Sequence, residues 1–233
     1  MTSNPTPDPH QKFTLAVLGG TGAEGSGLAL RWAHAGHRVI LGSRSPDKAA
    51  GRVSELNALL GREAITWQDN LGAARAADIV VLTVPHAAQR ATVEEVRAAL
   101  AGKILIDATV PLVPPKVNRV QLPEGGSAVA AIQALLGAGV RVVSAFQNVS
   151  AHHLKDLDHA IDCDVLVCGD DIPARQTVVG LVNDVGLRGV QAGPICNSAA
   201  AEALTSILIS INMAYKVPGA GLRITGVAAL ENA

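Results

Sequence analysis

The sequence has 233 residues and a formal net charge of −1, with 48% hydrophobic, 17% charged and 2% aromatic residues. This length suits one α/β domain with a smaller appendage, and the low charged fraction excludes a disordered chain. Because the chain has neither a basic excess nor aromatic residues for stacking on bases, its composition argues against a nucleic-acid partner.

The beginning of the chain, residues 1–11, is predicted to be a flexible tail because it contains three prolines and no apolar core. We therefore expect no signal peptide there, and we expect no apolar run of membrane-spanning length elsewhere. Cys163, Cys168 and Cys196 are an odd number without zinc-like spacing. They are interpreted as reduced thiols in a cytoplasmic protein.

Strands and helices alternate after the tail. The predicted strands are residues 13–18, 38–41, 78–84, 103–108, 140–146 and 164–169. The predicted helices are residues 25–35, 47–60, 92–100, 127–136, 172–185 and 198–215. This order predicts an α/β fold with a doubly wound parallel sheet over residues 12–150. A smaller C-terminal α/β region is expected over residues 151–233.

A glycine-rich segment joins the first predicted strand to the first predicted helix. Gly20, Gly22 and Gly25 have the G-x-G-x-x-G spacing of a dinucleotide-binding loop. The first glycine permits a tight turn, the second lets a pyrophosphate approach the backbone, and the third lets the helix pack on the sheet. The helix N-terminus adds unpaired N–H donors. The segment therefore predicts a Rossmann-like nucleotide-binding domain.

The end of the second predicted strand distinguishes between nucleotides. NAD sites usually have an acidic residue there, which binds the ribose 2′-hydroxyl. This chain instead has Ser43 and Arg44, with Lys48 one turn into the next helix. The two cations would pair with a 2′-phosphate, and Ser43 could donate a hydrogen bond to it. The sequence thus favours NADP(H).

Polar residues elsewhere form no recognisable catalytic set. No spacing marks a triad or a pair of catalytic carboxylates. His152 and His153 lie near Asp156 and Asp158, but we interpret them as a solvated surface rather than a metal site. Residues 110–126 contain four prolines and are predicted to be a long functional loop. We therefore predict no metal and no catalytic side chain.

Several motifs together resemble one enzyme family. They are LGGTGAEGSGLALRWAHAGHRVILGSRS, VLTVP, CGDD, AGPICNSAAAEALTSILISIN and GAGLRITG, and the resemblance extends over residues 13–227. It is to the NADPH-dependent reductases of the 8-hydroxy-5-deazaflavin coenzyme F420. The resemblance implies a homodimer with the deazaflavin in a cleft against the C-terminal region.

The resemblance also implies two sets of site residues. The NADP set is Gly20, Thr21, Gly22, Ala23, Glu24, Ser43, Arg44 and Lys48, with Val84, Val110 and Ala151 around the nicotinamide. The deazaflavin set is Gln147, Asn148, Val149, Asn197, Ser198 and Leu222. One departure is that Gln147 and Asn148 replace a His-Thr pair of archaeal members. Gln147 can hydrogen-bond to a pyrimidine edge but cannot carry a charge. The alternative interpretation is that Gln147 caps the predicted strand and contacts no ligand.

The predicted function is reversible hydride transfer between NADP(H) and coenzyme F420 by a cytoplasmic NADP-dependent oxidoreductase, with a small-molecule deazaflavin as partner and no membrane partner. The hydride passes between two flat conjugated carbons, so the protein needs chiefly to position two stacked rings. Two alternatives stay open. One is an NADPH-dependent reductase of a flavin or an imine, and the other is a non-catalytic NADPH-sensing module.

Overall fold

Six parallel strands form the main sheet of the computed structural model, which describes residues 11–227. The strands are β1 (Thr14–Leu18), β2 (Arg38–Gly42), β3 (Ile65–Gln68), β4 (Ile79–Leu82), β5 (Ile104–Asp107) and β6 (Arg141–Ser144). Their order in the sheet is β3-β2-β1-β4-β5-β6. The predicted tail, apart from residue 11, and the last six residues of the predicted C-terminal region lie outside the described residues.

Helices cover both faces of this sheet. They are α1 (Ala23–His34), α2 (Pro46–Leu60), α3 (Asn70–Ala76), α4 (His86–Val96) and α5 (Ala128–Leu136). One apolar cluster joins α1 and α2 to one face, and a second cluster joins α3, α4 and α5 to the other. All four residues of β4 are buried, as expected of a central strand that is covered on both sides. The predicted Rossmann-like doubly wound sheet is confirmed.

The smaller C-terminal α/β region contains a second parallel sheet of two strands, β7 (Asp164–Val167) and β8 (Arg188–Gln191). Helix α6 (Ile172–Asp184) connects them. Backbone hydrogen bonds of 2.8 and 3.0 Å between Ser144 and Cys168 link the two sheets. The last helix, α7 (Ser198–Tyr215), packs against α5.

Arg31 connects the first helix to the chain beyond residue 150. It is 7% exposed, and its guanidinium donates hydrogen bonds to five backbone carbonyls. The acceptors are Leu154 (2.8 Å), Val185 (3.1 Å), His153 (3.2 Å), Asp156 (2.6 Å) and His159 (3.0 Å). Because a buried guanidinium needs most of its donors satisfied, this residue fixes the turn at residues 153–159 against α1.

The structure differs from the sequence prediction at several elements. The sequence pattern does not predict β3, α3 or β8. Each of these elements is short and has too few buried residues to show the regular spacing of apolar positions that marks a strand or a helix. Helix α4 begins at His86, directly after Pro85, rather than at residue 92. No helix or strand occurs in residues 108–127, which agrees with the predicted long loop.

The expectation that no apolar run reaches membrane-spanning length is wrong for one segment. Ile195–Tyr215 has 21 residues and a mean hydropathy of 1.2, enough by length and composition alone to cross a membrane. A third of this segment is buried inside the protein. Its buried face includes Glu202, which accepts hydrogen bonds from Ser127 and the first N–H groups of α5.

Candidate active site

A cleft of 610 Å³ opens at the carboxyl ends of the parallel strands. It lies where the strand order reverses between β1 and β4, the place where open α/β sheets bind their ligands. Its lining includes nine of the predicted NADP residues, namely Thr21, Gly22, Ala23, Glu24, Ser43, Arg44, Lys48, Val84 and Val110. The cleft therefore brings most of the predicted nucleotide set together.

The glycine loop forms one end of the cleft. A Cβ on Gly25 would lie 2.4 Å from Thr83 Oγ1, and one on Gly20 would lie 2.8 Å from the carbonyl of Val17. These two glycines therefore serve the packing of the turn, and Gly20 does not line the cleft. Gly22 differs, because its Cβ would approach only the Gly19 carbonyl, at 3.3 Å. The space beside Gly22 is open to a ligand.

Helix α1 presents its N-terminus to the same space. Its N-cap is Gly22, which has no side chain that could accept hydrogen bonds from the first N–H groups of the helix. Four N–H groups at a helix start lack intrahelical partners, and they carry the positive end of the helix dipole. A phosphate group bound here would satisfy them.

Two cations and a hydroxyl lie at the end of β2. Arg44 and Lys48 are exposed on the cleft wall, and neither forms an ion pair with another residue of the described range 11–227. The Ser43 hydroxyl accepts from the Ser45 N–H at 3.1 Å, closing the turn that leads into α2. The cations are thus available to a ligand, while Ser43 chiefly shapes the turn.

The predicted deazaflavin residues divide into two groups. Gln147 and Val149 line the cleft, but Asn148, Asn197, Ser198 and Leu222 do not, and neither does Ala151 of the nicotinamide set. Asn148 is 6% exposed and donates to the Ala201 carbonyl at 2.8 Å. Ser198 is fully buried and donates to the Ile195 carbonyl at 2.7 Å. The hydrogen bonds of both side chains therefore hold α7 in position.

The remaining three residues have local partners outside the cleft. Asn197 Nδ2 donates to the Ala192 carbonyl at 2.7 Å, and the Leu222 carbonyl accepts from the Asp164 N–H at 2.7 Å. Ala151 begins a single 3₁₀ turn and packs against the core beside α1.

Gln147 is the best-defined polar side chain of the cleft. Its Nε2 donates to the backbone carbonyl of Asp107 at 2.7 Å, whereas its Oε1 has no hydrogen-bond partner within residues 11–227, and the residue is only 4% exposed. Phe146, just before it, has a left-handed φ of 76°. This conformation costs free energy for a residue with a side chain, and the edge-to-face contact of Phe146 with Trp32 helps to hold it.

The cleft also contains residues that the sequence analysis did not select. Among them are the polar residues Asn70, Thr83, His86, Thr109 and Thr205. Thr83 directly follows β4 and Thr109 closely follows β5, so the rule that ligands bind beyond strand ends could have indicated both. Thr205 belongs to α7 and donates to the Gln147 carbonyl at 2.7 Å, a contact that only the tertiary fold creates.

The histidines beyond residue 150 stack on one another. The His153 and His159 ring centroids are 4.0 Å apart, and His152 meets His153 edge-on at 4.6 Å. Within the described part of the chain, no group of three or more His, Cys, Asp or Glu side chains is arranged to hold a metal ion. The three cysteines of this part are free thiols, and burial raises the pKa of Cys168 to about 11.

Comparison with known proteins identifies the family. Residues 14–111 match the family model described as NADP oxidoreductase, coenzyme F420-dependent. The F420-dependent NADP reductase of Methanocaldococcus jannaschii is 40% identical over 221 residues, which cover 91% of this chain and 98% of that protein. The enzyme of the same name from Methanothermobacter thermautotrophicus is 40% identical over 220 residues, covering 91% and 95%.

A solved structure has the same architecture. It comes from an Arthrobacter species, is described as a candidate F420-dependent NADP reductase, and superposes with a TM-score of 0.77 at 27% identity. The match covers 91% of this chain and 99% of that chain. The chain belongs to the F420-dependent NADP reductase family.

Proposed function

We propose that this protein is an NADP-dependent oxidoreductase that transfers a hydride reversibly between NADP(H) and coenzyme F420. The observation that carries the proposal is the cleft beyond the ends of β1 and β4, where the glycine loop, Arg44 and Lys48 lie at one end and Gln147 lies at the other. Family membership supports the same activity.

The residues present fit a bound NADP. The open space beside Gly22 and the N-terminus of α1 suit a pyrophosphate, because unpaired N–H groups would be its donors. Arg44 and Lys48 suit the 2′-phosphate, which takes charge-assisted hydrogen bonds from both. Val84 and Val110 give an apolar wall for the nicotinamide, and Ala151 is not needed for this role.

The second ring system is proposed to lie between that wall and Gln147. Gln147 and Val149 are the predicted deazaflavin residues that line the cleft, and Thr205 lines it beside them. We propose that Asn148, Asn197, Ser198 and Leu222 act indirectly, by holding α7 and the C-terminal segment in place.

The protein's chemical task is positioning. When both ligands are bound, a hydride passes between two conjugated ring carbons, which must approach to about 3–3.5 Å. No side chain has to remove a proton from carbon in this step. Val84, Val110, Leu112 and Val149 exclude water from the apolar part of the cleft, while Gln147 fixes the orientation of a ring edge.

The proposal also covers the oligomeric state, the cellular location and the partners of the enzyme. We propose a cytoplasmic, soluble homodimer without a membrane or nucleic-acid partner, with the chain divided near residue 150 into a nucleotide-binding part and a cleft-completing part. The outer face of α7 supports the homodimer, because Ile207, Ile211 and Tyr215, spaced four residues apart, are 37–75% exposed there. The single charged residue of α7, Glu202, is buried.

The test is to mix the protein with NADPH and oxidised F420 and to follow the visible absorbance of the deazaflavin. We expect the absorbance to fall as NADPH is consumed, and to recover when reduced F420 is mixed with excess NADP⁺. Flavin mononucleotide and a cyclic imine serve as alternative acceptors. Turnover with one of these but not with F420, or NADPH binding without any turnover, would contradict the proposal.

A further inference from the structure

One carboxyl group lines the cleft beside the proposed phosphate site, a second is buried at the end of β5, and hydride transfer uses neither. Glu24 belongs to the first turn of α1 and lines the cleft next to Gly22. Asp107 ends β5 and is fully buried. Neither carboxyl forms an ion pair within residues 11–227. The unneutralised carboxyl of Glu24 is an unexpected neighbour for a site that is to hold a pyrophosphate.

The hydrogen bonds assign different roles to the two groups. Asp107 Oδ1 accepts from the Thr109 N–H at 2.9 Å, and its Oδ2 accepts from Gln89 Nε2 at 2.7 Å. Both oxygens are thus acceptors, which suits the ionised form. Glu24 has no hydrogen-bond partner for its carboxyl among the described side chains and backbone groups. Because Asp107 has two donors that stabilise its ionised form and Glu24 has none among the described residues, Glu24 is the carboxyl that takes up a proton more readily.

Burial and the charge of Asp107 raise the pKa of Glu24 to about 8. Burial also raises the pKa of Asp107, but there the hydrogen bonds from Thr109 and Gln89 act in the opposite direction. The other titratable side chains on the cleft wall are Arg44, Lys48 and His86, and none of them is paired with Glu24. At neutral pH Glu24 is therefore mostly neutral.

We propose that NADP(H) binds preferentially to the form of the protein in which Glu24 is protonated, so that Glu24 sets the pH dependence of nucleotide affinity. The inference rests on the proposed function, because it requires the pyrophosphate to lie beside α1. A neutral carboxyl there can donate its O–H to a phosphate oxygen, whereas an ionised carboxyl repels the phosphate. Nucleotide binding then takes up a proton at alkaline pH.

The experiment is a titration of the full chain with NADPH, by calorimetry, from about pH 6.5 to about pH 9.5. We expect a constant Kd at the lower end and, above about pH 8, a rise in Kd that approaches tenfold per pH unit, the slope for one linked proton. Repeating the titration near pH 8.5 in two buffers of different ionisation enthalpy counts the protons taken up. This measurement needs no variant, and uptake approaching one proton per nucleotide supports the proposal.

Variants then locate the proton. Glu24→Gln should bind NADPH with a Kd that no longer depends on pH, whereas the exposed Glu63→Gln, outside the cleft, should keep the wild-type profile. Asp107→Asn should move the rise in Kd to lower pH, because removing the Asp107 charge lowers the pKa of Glu24. A merely structural role for Glu24 would change Kd equally at every pH.

Two results would overturn the proposal in different ways. A wild-type Kd that is constant across the whole range, or an unchanged slope in Glu24→Gln, would exclude the proton linkage and leave the proposed function intact. Absence of NADPH binding at every pH would overturn the proposed function and this inference together.

Discussion

Gln147 donates its Nε2–H to the backbone carbonyl of Asp107 at 2.7 Å, and this single bond determines what Gln147 can offer a ligand. A carbonyl can only accept, so the amide nitrogen must face Asp107 and the oxygen must face the other way. Among the residues that the structure describes, none hydrogen-bonds to Oε1, although Gln147 is only 4% exposed and lines the cleft. The site therefore presents a buried acceptor, which suits an N–H donor on the rim of a ring.

The first prediction concerns this acceptor. Gln147→Leu should lower kcat/KM for the deazaflavin by about 1–3 kcal/mol, because a polar ring edge would then face hydrocarbon. NADPH affinity should change little. Steady-state kinetics with varied F420 and a separate NADPH titration check this. Gln147→His is the comparison variant and should retain activity, with a pH optimum shifted by the titration of the imidazole. Wild-type deazaflavin kinetics in both variants would place Gln147 outside the site.

The second prediction concerns the choice of nucleotide. Arg44→Ala should weaken NADPH binding about ten- to a hundredfold and leave NADH binding nearly unchanged, because one charge-assisted hydrogen bond to the 2′-phosphate is lost. Both nucleotides are titrated at one salt concentration, since exposed charges are screened. Arg38→Ala is a matched control, because Arg38 is an exposed arginine at the opposite end of β2. Equal losses for NADPH and NADH in Arg44→Ala would assign Arg44 to the fold or to the shared adenosine.

The third prediction separates two glycines of one loop. Gly22→Val should fold normally and lose NADPH binding, because its backbone is extended (φ −71°) and its side chain would enter the open space of the cleft. Gly25→Ala should instead lower the melting temperature, since its Cβ would lie 2.4 Å from Thr83 Oγ1 and 3.0 Å from the backbone of Gly20. Thermal unfolding and NADPH titration of both variants check the contrast. Unchanged NADPH affinity in a folded Gly22→Val would contradict the assignment of the loop.

The fourth prediction concerns stability in acid. The buried Asp164 accepts hydrogen bonds from Arg188 Nε at 2.7 Å and from the Ile224 N–H at 2.6 Å. The hydrogen-bonded Arg188 guanidinium holds the pKa of Asp164 below its usual value. Because the folded-state pKa lies below the unfolded one, this stabilisation is present above the unfolded pKa and is lost as pH falls through the folded pKa.

Asp164→Asn should accordingly lower the free energy of unfolding at neutral pH by about 3 kcal/mol, since it leaves Arg188 without its charged partner. The difference from wild type should shrink as the pH falls below about 4. Denaturant unfolding at both pH values measures it, with the exposed Asp158→Asn as control. A destabilisation of equal size at both pH values would show that packing, not charge, is responsible.

The sequence signals that indicate the nucleotide end of the cleft are local. The spacing of Gly20, Gly22 and Gly25 and the cations after β2 depend on one strand, one turn and one helix. The short edge strand β3 was not predicted because only Ile65 of its four residues is buried, so the alternation of buried and exposed residues that marks a strand is absent from it.

The other end of the cleft could not be predicted as well, because tertiary contacts decide it. Asn148 and Ser198 resemble ligand-binding residues in sequence, but the fold buries them against α7 and its neighbours. Thr205 enters the cleft only because α7 packs beside Gln147. Spacing along the chain also gives no sign that the charge of Asp107 acts on Glu24, since the two residues are 83 positions apart and β4 separates β1, which precedes Glu24, from β5, which Asp107 ends.

Isotope transfer tests the central claim most directly. NADPH carrying deuterium at nicotinamide C4, prepared separately with the label on each face, is mixed with the protein and oxidised F420 in ordinary water. The account predicts that one of the two labelled forms delivers its deuterium to the reduced deazaflavin, as detected by mass spectrometry, because the hydride passes directly between two stacked rings. Reduced deazaflavin without deuterium from either form, or no reduction at all, would contradict it.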